Sequence, residues 1–267
     1  MDFIYYQILF LSIFICLFWI IQILMISRIT SEKNFLLYFL FTCMVAVLGQ
    51  SLFFGSNFKL FYTLYVPIYF FSFSQYAAFY LYLHRLVNGK ISSAQIIYHH
   101  LLPVLVALII SYFYYFRHTR QESYSILSSY LNENIPTNKK IKLTYFVDIS
   151  MRNLFLVVGF LYSYFIQIRI KKHQNKLKNY FSETALYKLT WVKVFNIILI
   201  VFTLWGGILF NLKGNFFINP ENKWVAIFPC VILSALFWLI AYFGNKQVAI
   251  PVEFIEFNYT SSIGIKD

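Results

Sequence analysis

Asp148 and Arg152 stand four positions apart at the edge of a long apolar stretch. On a helix they share one face and can pair as carboxylate and guanidinium. Charges at membrane depth are costly and usually face a bundle interior or a watery cavity. Two readings of the pair stay open. It is the polar floor of an outward-opening ligand pocket, with Gln75 as a further ligand-binding candidate, or an interfacial pair that snorkels to water. His84, His99 and His100 fall at neighbouring ends of two apolar stretches, but a metal site needs three or four converging donors with outer support. His100 precedes Pro103, whose ring leaves a carbonyl of the preceding turn without its N–H donor, and so suits the capping or orienting of a helix start. A pH-responsive role for the histidines is open. Gln50, Gln75 and Asn196 suit hydrogen bonds between helices. No Gly-x-Ser-x-Gly, His-Glu-x-x-His, phosphate loop or dinucleotide fingerprint occurs, so neither an enzyme nor a cofactor or metal is expected.

The elements that must position these residues are set by apolarity. Of 267 residues, 60% are hydrophobic and only 12% charged, roughly half the charge of a soluble domain. Such a surplus of apolar surface calls for lipid as its solvent. A span needs about 20 apolar residues, and seven stretches qualify: Phe3–Ile26, Phe35–Gly55, Phe58–Leu83, Ile96–Phe116, Thr144–Ile168, Thr190–Asn211 and Trp224–Phe243. The expected fold is all-α, a polytopic bundle of about seven transmembrane helices over 1–248, with a short tail over 249–267. The first stretch follows Asp2 rather than a basic segment and is too long for a cleavable signal peptide. Cys16, Cys43 and Cys230 lie inside apolar stretches and read as small buried hydrophobes. Tyr5, Tyr6, Tyr112, Tyr114, Tyr115 and Trp224 near span ends fit an interfacial aromatic belt. The Gly206-Gly207 pair beside Trp205 offers a close approach or a flexible point. Ser182-Glu183 suits a helix start. Between 117 and 142 runs the one long polar segment, with Pro136, expected as the loop between the fourth and fifth spans.

The net charge of +12 comes from short basic clusters between spans, which orient membrane helices. Placing the amino terminus outside and the carboxyl terminus in the cytoplasm puts Arg28, Lys33, Arg85, Lys90, the six bases from Arg169 to Lys188, Lys246 and Lys266 inside. Lys59, Arg117, Arg120, Lys139, Lys140, Lys142, Lys213 and Lys223 then lie outside. The densest cluster, Arg169, Lys171, Lys172, Lys176 and Lys178, reads as a lipid-facing basic loop that anchors topology, binds anionic headgroups or docks a partner. Expected partners are the lipid bilayer, its anionic headgroups, and a cytoplasmic signalling protein or a second copy of the chain. Composition suggests a bacterial inner membrane. The middle of the seventh stretch has no Lys, which argues against a retinal Schiff base. No matched Gly/Pro breaks mark an inverted-repeat transporter.

Several short patterns carry a resemblance. These are Tyr80-Leu81-Tyr82-Leu83, His100-Leu101-Leu102-Pro103, Tyr162 followed by the basic run and Phe181-Ser182, Leu189-Thr190-Trp191-Val192, and Tyr242-Phe243-Gly244-Asn245-Lys246-Gln247. In order and spacing they resemble the seven-helix membrane region at the front of bacterial AraC-type transcription regulators. The resemblance implies structural or signalling roles for Tyr82, His100, Pro103, Tyr162, Trp191, Gly244 and Gln247. The family's Gly-Pro in the third span is here Tyr76-Ala77, so a kink there is expected from Pro67. Glu253–Ile265 resembles the linker to a DNA-binding domain, but the sequence stops at Asp267, so this chain is not expected to bind nucleic acid. The expectation is a membrane-embedded sensor signalling to a transcriptional output that a partner supplies or that truncation removed. The alternative is a small transporter or channel-like protein with Asp148 and Arg152 on its path.

Overall fold

The computed structural model describes residues 2–26, 29–55, 57–132, 138–180, 189–211 and 223–247. They form α1 (Asp2–Leu24), α2 (Ser31–Phe54), the short α3 (Phe58–Thr63), α4 (Tyr65–Asn88) and α5 (Ser93–Ser111), which runs into a π-helical turn (Tyr112–Phe116). Then follow α6 (Arg120–Asn132), α7 (Lys139–Tyr180), α8 (Thr190–Asn211) and α9 (Lys223–Lys246). No strand occurs among the described residues. Expectations for Arg28, Pro136, Phe181-Ser182, Glu183, Lys188, Lys213 and 249–267 lie outside them, as do the side-chain surroundings of Lys176, Lys178, Trp205 to Gly207, Lys223 and Trp224.

Among the described residues, five helical segments are long and apolar enough to cross a membrane: Phe3–Leu24, Ser31–Phe54, Ser93–Phe116, Lys139–Asn175 and Ile227–Lys246. Their outward faces are apolar at helical spacing. Ile97, Leu101, Val104, Leu105 and Leu108 of α5 are exposed, as are Val157, Leu161, Tyr164 and Phe165 of α7. A water-soluble monomer rarely shows apolar patches of that extent, and helices satisfy their own peptide groups, which lipid demands.

Within the bundle, α4 packs against α2, α5 and α7, while α9 packs against α1, α2 and α8, and α8 against α7. Surrounded in this way, α4 can carry polar side chains, and it buries Ser74, Tyr65, Tyr76, Tyr82 and His84. It ends at Gly89, whose φ of 67° is the left-handed conformation that glycine reaches without a steric penalty. The Cys side chains are free and buried.

Three local expectations are corrected. The third apolar stretch is not one helix kinked at Pro67. It breaks at Leu64 between α3 and α4, and Pro67 sits in the first turn of α4, where a missing N–H costs little. The Thr63 carbonyl, which Pro67 cannot serve, accepts from Tyr115 Oη at 3.2 Å, and Tyr115 Oη also donates to the Tyr62 carbonyl at 2.9 Å. Second, the basic cluster is not a loop. No Gly or Pro interrupts 169–180, so α7 runs unbroken for 42 residues and carries these bases on its last turns.

Third, the polar segment after the fourth stretch contains α6, which packs on α3 and α7. Thr119-x-x-Glu122 caps it: Thr119 N donates to Glu122 Oε2 at 2.8 Å, and Glu122 N to Thr119 Oγ1 at 3.3 Å. The Thr119 backbone N–H and the Lys140 ammonium hold the Glu122 carboxyl down at about 2, from 4.5. Burial and Lys140 hold the His118 imidazole below its ordinary 6.5. Both folded-state values are depressed, so each group's contribution is present above its ordinary value and lost on acidification. Amide protection of α6, corrected for intrinsic exchange, is therefore expected to fall below pH 6.5 through His118, and again between pH 4.5 and 2 through Glu122. Glu122→Gln should abolish the lower step and deepen the upper one, because the Glu122 carboxylate lies 3.5 Å from His118 Nδ1 and favours the charged ring; protection that rises on acidification would contradict the assignment.

Candidate functional site

Two i, i+4 pairs face one another across the α4–α7 seam: Tyr65 and Tyr69 on α4, Asp148 and Arg152 on α7. Asp148 is fully buried. Tyr65 Oη donates to Asp148 Oδ1, Tyr69 Oη donates to the same oxygen at 2.6 Å, and Arg152 Nε donates to Oδ2 at 2.9 Å. All three partners donate, so both oxygens of the carboxylate are occupied as acceptors. Arg152 is the edge of the cluster, with 20% of its side chain exposed against 0% for Asp148. Gln75 lies further along α4, half-buried, and makes no hydrogen bond to the pair.

The π-helical turn completes this hub. Its wider pitch turns Tyr114 inward, fully buried, with Tyr65 Oη 3.4 Å from Tyr114 Oη. The Tyr114 carbonyl accepts from Ser123 Oγ of α6 at 2.8 Å and from Tyr62 Oη of α3 at 3.3 Å. Tyr5 is also buried, so these two are not members of a lipid-interface belt, whereas Tyr6 and Tyr112 remain exposed. Sequence reading missed Tyr65 and Tyr69, whose four-residue spacing was the available signal, and assigned Tyr114 to the interfacial belt instead of to this hub.

A second polar cluster joins α4, α5 and α7 about five helical turns further along α7. An Arg169 Nη donates to Tyr80 Oη at 2.7 Å and approaches His84 Nδ1 at 3.3 Å. His84 Nε2 meets the Asn88 side-chain amide at 2.8 Å. His99 Nδ1 lies 3.0 Å from Tyr162 Oη, and the His99 ring sits 4.9 Å from that of Tyr80. Arg169 thus faces the bundle rather than lipid, while Lys171 and Lys172 are exposed.

His100 turns away from the other two histidines. Its Nδ1 donates to the Ile96 carbonyl at 2.8 Å, leaving Nε2 to accept from Tyr38 Oη of α2 at 2.6 Å. The start of α5 is capped instead by a Ser92–Gln95 capping box, and Pro103 is buried inside the helix. The remaining residues singled out by resemblance converge where α4, α8 and α9 meet. Tyr82 Oη donates to the Gly244 carbonyl at 3.1 Å, and Trp191 Nε1 donates to Gln247 Oε1 at 3.0 Å. A Cβ on Gly244 would meet Tyr82 Oη at 3.0 Å and Leu36 Cδ2 at 3.1 Å, so this crossing requires a small residue.

Compared with protein-family models, curated proteins and solved structures, the chain matches none.

Removing one partner of a buried ion pair strands the other, at about 3–5 kcal/mol. Asp148→Leu and Arg152→Met should each lower stability by that order in reversible denaturation, and the double variant should recover part of the loss; additive losses would exclude a coupled pair. Tyr69→Phe should cost about 1.5–3 kcal/mol, as expected of a hydrogen bond to a charged group. Gly244→Val should cost about 1–3 kcal/mol by forcing Tyr82 and Leu36 aside; an unchanged melting midpoint would show that the crossing tolerates bulk.

Proposed function

We propose that the chain is a membrane-embedded sensor of seven spans, α1, α2, α4, α5, α7, α8 and α9, with its amino terminus outside and its carboxyl terminus in the cytoplasm. Alternating crossings are supported by contacts between ends. Arg85 Nε donates to Ser31 Oγ at 2.6 Å, joining the end of α4 to the start of α2. Trp191 and Gln247 join the start of α8 to the end of α9. Under this orientation Arg85, Lys90, Arg169, Lys171, Lys172 and Lys246 lie on the cytoplasmic side.

The sensor reading is carried by α7. One continuous helix of 42 residues holds Asp148 and Arg152 near its outer end, Tyr162 and Arg169 near its inner end, and a basic extension beyond. Two packings of similar energy are available to such an element when its polar contacts can exchange partners, and a ligand that prefers one shifts the population. An outer ligand that takes Arg152 or Asp148 from its partners would slide or turn α7 against α4. The same movement would separate Arg169 from Tyr80 and His84. A cytoplasmic protein or a second copy of the chain would read the change on the basic extension.

The test uses the purified full chain in nanodiscs, screened against metabolite and peptide panels for thermal stabilisation. A stabilising compound is expected to lose its effect in Asp148→Asn and to alter labelling of a cysteine placed at Lys171. Indifference to every panel would count against sensing. Accumulation of the compound inside reconstituted vesicles, abolished by Asp148→Asn, would replace the sensor with the small transporter or channel-like reading.

A further inference from the structure

On the side of α4 away from the polar seam lies a groove that neither cluster uses. α2 and α5 both pack on α4 but scarcely on one another, and the space between them is lined by Asn34, Phe35, Tyr38, Leu81, Ile96 and His100. Its volume is about 390 Å³, within the usual range of ligand pockets, roughly 300–1,000 Å³. Tyr38 and His100 bridge the two walls, and they satisfy each other: Tyr38 Oη donates to His100 Nε2, whose ring already donates to the Ile96 carbonyl. A sugar or peptide would therefore find few partners along these walls. What the groove offers is apolar surface.

One turn beyond this floor the chemistry changes. Arg85 follows Leu81 by four residues on α4, and Ser31 precedes Phe35 by four on α2, so each shares a helix face with a lining residue. Arg85 and Ser31 are hydrogen-bonded at 2.6 Å. Lys33 adjoins the lining residue Asn34. The carboxylate of this neighbourhood is Glu32, which accepts from Ser31 Oγ at 3.3 Å. Among the described residues, Lys33 and Arg85 stand against this one carboxylate, which leaves an excess positive charge at the mouth of an apolar groove.

We propose that the groove is a binding site for an anionic phospholipid, one acyl chain lying between α2 and α5 over Leu81 and the phosphate held at Lys33 and Arg85. The proposal rests on the membrane reading above but not on sensing. An apolar trough with a cationic rim matches the two halves of that molecule, and the cytoplasmic leaflet supplies anionic lipid at high local concentration. A bound chain would also fill the wedge that the spread of α2 and α5 leaves.

The experiment is native mass spectrometry of the full chain released from nanodiscs of equal phosphatidylglycerol and phosphatidylcholine. One phosphatidylglycerol per chain is expected to survive activation that strips the remaining lipid. Ile96→Trp, which fills the groove, should reduce its retention about tenfold. Ile97→Trp, on the exposed face of the same helix, should leave it unchanged. Lys33→Ser should reduce the preference over phosphatidylcholine about fivefold, the worth of one basic residue near a charged surface. Should Ile96→Trp fail to fold, quenching of a Phe35→Trp variant by brominated-acyl phosphatidylglycerol replaces it, with stronger quenching than by the phosphatidylcholine analogue expected. Lipids that leave as a continuous distribution indifferent to Ile96→Trp, equal retention of the two lipids, or equal quenching would overturn the site. Extraction of the chain from membranes by alkaline carbonate would instead overturn the membrane reading.

Discussion

A carboxylate withdrawn from water must find its solvation inside the protein, and Asp148 finds it across the α4–α7 seam. Its two oxygens take three donors from two helices, Tyr65 and Tyr69 on one side and Arg152 on the other. Desolvation of both ions opposes such an arrangement, and the attraction between them offsets that only when further hydrogen bonds help to solvate the pair. The ion pair therefore constrains its surroundings. It requires α4 to carry tyrosines instead of aliphatic side chains, it requires other helices to shield α4 from lipid, and it uses the π-helical turn to bring Tyr114 into the hub.

The same accounting of polar groups explains the rest of the bundle. Where the backbone departs from a helix at Leu64, Tyr115 serves the exposed carbonyls. Side-chain hydroxyls inside spans bond to carbonyls or to one another, as Ser12 does with Ser234 at 2.7 Å between α1 and α9, and as Tyr76 does with Thr203 at 3.1 Å between α4 and α8. Such bonds are individually modest. Their distribution ties α4 to α7, α8 and α9, with polar contacts concentrated at the two ends of the α4–α7 seam, where a change of partner is possible without unpacking the apolar middle.

Much of this was legible in the residues. Apolar runs of span length marked the long helices, and the i, i+4 spacing of Asp148 and Arg152 announced their pairing. The buried cysteines followed from their surroundings. What could not be read was which of many tyrosines bear on the carboxylate. Tyr65 and Tyr69 carry the same four-residue spacing, but in a chain that is 22% aromatic the spacing has little discriminating power. Tyr114 was hidden further, because a π turn shifts which residue faces inward. The capping box at Thr119 and Glu122 was present as a pattern inside a segment whose polarity suggested a loop. Arg169 looked like one more topological anchor, since no linear signal shows that it folds back against Tyr80.

Two clusters lie on one continuous helix, one closed around a carboxylate and one around a guanidinium, and the proposed sensor reading makes α7 the element whose position carries the signal. In that reading the state of Asp148 decides whether the amino-terminal part of α7 can respond. Infrared difference spectroscopy of the full chain against Asp148→Asn, with carboxyl-labelled aspartate at neutral pH, observes that group directly. The account predicts the band of an ionised, strongly hydrogen-bonded carboxylate that shifts in Tyr69→Phe. The band of a protonated carboxylic acid, or a carboxylate indifferent to Tyr69→Phe, would contradict it.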